Sequence, residues 1–163
     1  MMETKLKTLT WLEEEGLSPT ETTDPNASFN LGIKAAGMPL HVVQSIRRKD
    51  SIIAAIDLVL TEGQLSLLKS KMDERKRLVF FWDLRISLIR NNELGDFGIR
   101  PSPPNDIREV FISSKPIYYD ELSKSKLMST IRVVYRAANE VVWLLEMHAG
   151  ANAPKEYRPD FYT

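Results

Sequence analysis

Twenty consecutive residues without glycine or proline, "DERKRLVFFWDLRISLIRNN" at 73–92, constrain this chain more than any other stretch. From Trp82 to Leu88 apolar and polar residues alternate as in a half-buried strand. The length argues otherwise, because strands usually run to about 5–6 residues. Asp73 followed by Glu74 supplies an N-cap and a favourable charge in a first helical turn. Asn91 and Asn92 stop the pattern before "ELGDFG". The segment is predicted to be a helix.

Wound at about 100° per residue, that helix carries an apolar arc wider than half its circumference. Leu78, Trp82, Ile86 and Ile89 form one side, and Phe81, Leu84 and Leu88 the other. One sheet covers a stripe of roughly 100°, so the final helix or a second copy of the chain must cover the rest. A dimer interface is assigned to Phe81, Trp82, Arg85 and Leu88. Arg85 lies inside the arc, where a charge has to be paired or has to snorkel to water. An ion pair across a two-fold axis is the functional alternative.

Around this helix the chain alternates between two periods. Residues 3 to 15 read as a helix, with Leu6, Leu9 and Leu12 on one face and Gly16 placed to end it. "LSPTETTDPNAS" is a loop or a ragged edge strand. Three strands follow. Phe29, Leu31, Ile33 and Ala35 point inward from the first, Leu40, Val42 and Ile46 from the second, and Ile52, Ala54, Ile56, Leu58 and Leu60 from the third. "TEGQLSLLKSK" is a shorter helix capped by Thr61. "GDFGIR" and "IREVFIS" are two more strands, joined by "PSPPND". A closing helix runs from about Ser123 to Met147, with Leu127, Ile131, Val134, Ala138, Val141, Val142 and Leu145 as its core stripe.

The expected fold class is α+β: helix, three strands, helix, two strands, helix, with a five-stranded antiparallel sheet and the helices packed on one face. Residues 1–150 make a single domain, and 151–163 are a C-terminal tail, frayed or docked. That order resembles the type III secretion chaperone-like fold, shared by small dimeric bacterial chaperones and by uncharacterised bacterial and archaeal domain families. The resemblance covers residues 3 to 147 and rests on element order and on the long amphipathic helix between strands three and four. It implies a homodimer that binds extended protein segments through apolar patches and has no active site. Secretion chaperones tend to be acidic, whereas this chain carries 22 basic and 22 acidic side chains.

That charge balance removes a whole-molecule electrostatic case for nucleic acid or membrane. With no cysteine, disulfides, thiol catalysis and thiolate metal sites are excluded, and a reducing, cytoplasmic setting fits. The longest apolar runs, such as "IIAAI" and "VVWLL", are far short of the ~20 residues of a membrane span. No leader with a cleavage site is read at the start.

Chemistry-bearing patterns are sparse. His41 falls on the outer face of a strand and His148 at a helix end, where it meets the helix dipole, and neither has a second histidine at metal spacing. "DFG" at Asp96–Gly98 lacks every other kinase element. No glycine motif for phosphate appears. "YYDEL" reads as capping and packing. No catalytic residue, metal ligand or cofactor is therefore assigned.

Two surfaces remain. Val43, Ile53, Ala55 and Val59 point away from the core, with Phe111 joining them beside Glu109. Cover by loops, the tail or the first helix explains them in the plainest case, and a protein-binding site at Val43, Ile53, Val59 and Phe111 in the functional one. On the last helix Arg132, Arg136, Asn139, Trp143 and Met147 share the face opposite the core, where a base could stack. The expected function is a non-catalytic, chaperone-like or adaptor domain that acts as a homodimer and holds an apolar protein segment. A nucleic-acid-associated regulator using Arg132, Arg136 and Trp143, and an enzyme with an unrecognised site, are the alternatives.

Overall fold

In a computed structural model, residues 2–101 and 107–149 are described. The chain starts with helix α1 (Met2–Glu14), followed by strands β1 (Thr20–Glu21), β2 (Ala27–Ala35), β3 (Met38–Ser45) and β4 (Ser51–Val59). Helices α2 (Glu62–Lys71) and α3 (Glu74–Arg90) come next, then β5 (Leu94–Arg100), β6 (Glu109–Ser114), β7 (Ile117–Tyr118) and α4 (Lys124–Ala149). Every strand pairing is antiparallel, in the order β1-β2-β3-β4-β6-β5, and β7 extends the sheet beside Ser51 and Ile52 of β4.

The α+β class and the antiparallel sheet agree with the sequence reading, but the count differs. The described residues hold four helices and seven strands. The two additional strands, β1 and β7, are two residues each. Such pairs are too short to carry an alternating pattern, so their place in the sheet comes from their neighbours and not from their own side chains.

Turn chemistry fixes the hairpins. Ala36 and Gly37 both have positive φ (49° and 81°) and join Ala35 to its register partner Met38. Two left-handed residues suit the twist of the flanking strands. Between β5 and β6 the register slips from Leu94↔Ser114 to Asp96↔Ser113, which leaves Gly95 as the extra residue of a bulge. A Cβ there would stand 2.2 Å from Ser114 O, so only glycine fits.

Alternation then sorts the sheet into two faces. Phe29, Leu31, Ile33, Leu40, Val42, Ile52, Ala54, Ile56, Val110 and Ile112 are buried on one face. Leu12, Leu68, Leu84 and Leu127 meet them in one core, so each helix contributes to the same side. The longest helix, α4, lies across β4 and β6 and packs against α3. Ile46 departs from the inward position expected of it. The strand ends at Ser45, and Ile46 is exposed in the turn. Gln44 takes the last inward position and is fully buried. Its Nε2 donates to Lys49 O at 3.0 Å and to the Tyr119 hydroxyl, so the amide holds the β3–β4 turn closed.

Candidate protein-binding surfaces

Local signals fix α3 first. Asp73 caps it, its carboxylate accepting from Lys76 N at 2.9 Å, and Asn91 closes it by donating its backbone N–H to Leu88 O. The wide apolar arc then divides. Phe80, Phe81, Leu84 and Leu88 are buried in the chain's own core. Leu78, Val79, Trp82, Ile86 and Ile89 stay exposed, Trp82 at 50% and Ile89 at 57%. The four-residue interface expected from sequence divides in the same way. Phe81 and Leu88 are withdrawn from any surface, while Trp82 and Arg85 remain on it. Arg85 is exposed, and its guanidinium lies 5.9 Å from the Trp82 ring centroid, a cation–π arrangement.

Wound at about 100° per residue, Arg75, Arg85 and Arg90 fall within ~80° of Trp82. The apolar stripe is therefore set among cations, with Glu74 the only carboxylate at the same angular distance. At the other end of the helix pair, His148 does not merely meet a dipole. Its Nε2 lies 2.9 Å from Asp83 Oδ2, and its ring packs on Phe80 at 5.4 Å. That tie anchors the C-terminal end of α4 to the middle of α3.

On α4 itself Arg132, Arg136, Trp143 and Met147 are exposed, as the spacing requires. Asn139 is not. It is 4% exposed, so the supposed continuous basic and aromatic face is interrupted at its centre. Tyr135 is also buried, and burial raises its hydroxyl pKa against the opposing effect of Asn139. A cleft of about 280 Å³, lined by Leu58, Leu60, Phe80, Val110, Val141 and Leu145, opens beside the end of β4.

The outer sheet face is built by register. Val43 stands opposite Ile53, His41 opposite Ala55, Ala55 opposite Ser113, and Asp57 opposite Phe111. Val43, Ile53 and Phe111 are half-buried, and Val59 is 67% exposed. The four residues expected to bind protein thus share one face, with Val59 one row beyond Phe111. His41 Nδ1 lies 2.7 Å from Asn30 Oδ1, to which its N–H donates. A concavity of about 520 Å³ joins Val43 and Ile53 to Arg47, Arg48, Asp96 and Ser113.

Sequence reasoning missed a carboxyl pair on this face. Asp57 and Glu109 lie diagonally across β4 and β6, with Arg100 at 3.6 Å from Glu109. Burial, a hydrogen bond shared with Glu109 and the Glu109 charge push the Asp57 carboxyl up to about 6, against the pull of Arg100. Strand register alone brings the two together, and they are 52 positions apart in the chain, so no local motif reveals them. Among the described residues no group of three or more His, Cys, Asp or Glu side chains is placed to hold a metal ion, and no helix is long and apolar enough to cross a membrane.

Residues 4–145 match the family model described as an uncharacterized conserved protein (DUF2299). The chain belongs to the DUF2299 family. The match takes in α3, the outer face of the sheet and α4 as far as Leu145. A solved structure, an uncharacterized protein from Methanothermobacter thermautotrophicus, is similar to this DUF2299 chain at 27% identity and a TM-score of 0.78, over 88% of this chain and 96% of that one. No curated protein matches.

Proposed function

We propose that this DUF2299 chain is a non-catalytic protein-binding domain that acts as a homodimer and holds a partner segment against α3. The observation that carries the reading is the outward face of that helix. Five large apolar side chains at helical spacing are left in solvent at 42–57% exposure. A contiguous apolar stripe of this kind marks a contact surface, and an amphipathic helix is the complement that fits it best. The arginines around the stripe select acidic flanks on that partner and disfavour a second α3, which would set the same cations against each other. Both histidines are engaged in side-chain contacts, which supports a binding role over a catalytic one. The likeness in element order to the type III secretion chaperone-like fold points the same way, and a cytoplasmic setting fits the absence of cysteine.

Calorimetry with a synthetic helical peptide tests the reading, using leucines at i, i+4 and i+7 between glutamates. Binding at micromolar concentration is expected, with a loss of at least tenfold in Ile86→Lys and weakening in salt. No heat at millimolar peptide, or equal affinity for the variant, would overturn the assignment to α3.

A further inference from the structure

The outer sheet face ends in opposite charges, and the register shows where each set lies. At one end the β3–β4 turn presents Arg47, Arg48 and Lys49, all exposed, against one carboxylate of the turn, Asp50, and Asp96 across the concavity. The arginines line the same concavity as Val43 and Ile53, and neither forms an ion pair among the described residues. At the other end Asp57 and Glu109 share one nearby cation, Arg100. Two carboxyls against one guanidinium leave that end short of positive charge. The turn has the surplus.

Between the ends lies the Val43–Ile53 row, and Ile53 stands midway along the chain between Arg48 and Asp57. A two-fold axis along this row carries each basic turn onto the acidic pair of the other copy. It also sets Val43 and Ile53 against their own symmetry mates. The face is thus complementary to itself, as an isologous interface must be. Nine residues of β4 span about 30 Å, and the five strands β2 to β5 about 20 Å. That is of the order of 600 Å² on each copy, close to the ~800 Å² per partner of a stable interface. The bare α3 stripe lacks this property, because its cations would meet cations.

We infer that a second copy of this chain docks face to face on the outer sheet, with Arg47 and Arg48 of each copy on Asp57 and Glu109 of the other. The inference rests on the homodimer reading and names its surface. Arg47, Arg48 and Asp57 are exposed and Glu109 is half-buried on the outer face, so charge reversal stays outside the core.

Sedimentation velocity on the full chain decides it, with thermal melts as the check on folding. Wild type is expected to sediment at twice 18.7 kDa at micromolar concentration. Arg47→Glu with Arg48→Glu, and separately Asp57→Lys with Glu109→Lys, should each weaken self-association at least tenfold. An equimolar mixture of the two should recover the dimer, because every opposed pair in that heterodimer is again of opposite sign. A wild-type monomer at 100 µM would overturn the homodimer reading and this inference with it. A dimer unmoved by both variants, or a mixture that stays monomeric, overturns this surface alone, and loss of the dimer in Ile86→Lys would then place it on α3.

Discussion

The outward side of α3 and the outer face of the sheet both hold apolar side chains away from the core, yet their chemistry differs. On α3 the side chains are large, convex and ringed by arginines. On the sheet Val43, Ile53 and Phe111 are half-buried and Val59 is exposed, in a field with most of its cations at one end and a carboxyl pair at the other. Charge of one sign selects a foreign, oppositely charged partner, whereas a field divided evenly in sign can match itself. Apolar exposure alone would not have separated the two surfaces; the arrangement of charge around it does.

Buried and exposed positions differ most steeply within α3. Leu84→Ala, on the buried side, should cost about 2–5 kcal/mol of stability by cavity formation. Ile86→Ala, two residues on, should cost less than about 0.5 kcal/mol. Urea unfolding of the pair measures the contrast, and equal losses would mean that the stripe is covered after all.

A second, smaller effect sharpens the sheet side. Gln44→Ala removes the amide that ties Lys49 O and Tyr119 together, and about 1–3 kcal/mol should go with it. The variant leaves every outer-face side chain in place, yet it frees the turn that carries Arg47 and Arg48. Weaker self-association is therefore expected beyond the stability loss, read by sedimentation at a temperature well below the melt.

The smallest effect is electrostatic. The Asp57 pKa is raised in the folded chain from 3.8 to about 6, so folding favours the protonated acid. Its contribution to stability is full below about pH 4 and is lost as the pH rises through about 6. Asp57→Asn should remove that loss, raising the melting midpoint by about 1 °C at pH 7 and not at all at pH 4. Because the side chain is largely exposed, solvent screening keeps the effect small. An unchanged pH profile in the variant would show that burial and Glu109 do not raise this carboxyl.

What could be read from the letters follows from how local each cause is. The caps at Thr61 and Asp73, the strand alternation from Phe29 to Val42 and from Ile52 to Ile56, and the stripe on α4 are set by neighbours within a few residues, and the structure agrees with them. The division of the α3 arc depends on how the sheet and α4 approach that helix, so Phe81 and Trp82, adjacent in sequence, end on opposite sides. Gln44 escaped notice because a buried amide contradicts polarity until its partners, one of them 75 residues away, are in place. Asn139 is likewise a buried amide that its polarity argues against. Of the outer face, the apolar members were legible by alternation, while the Asp57–Glu109 pair needed the β4–β6 register.

The bulge at Gly95 has a consequence for how copies of this chain can meet. A strand at the rim of a sheet offers unpaired N–H and C=O groups to any passing backbone, and natural proteins blunt such rims with bulges or very short strands. Here one rim is β1, two residues long, and the other is β5, disrupted at Leu94–Asp96 where Gly95 is squeezed out of the ladder. Neither rim is a good template for open-ended strand addition, the route to fibrils. That leaves the faces, where the proposed two-fold axis would close the assembly at two copies.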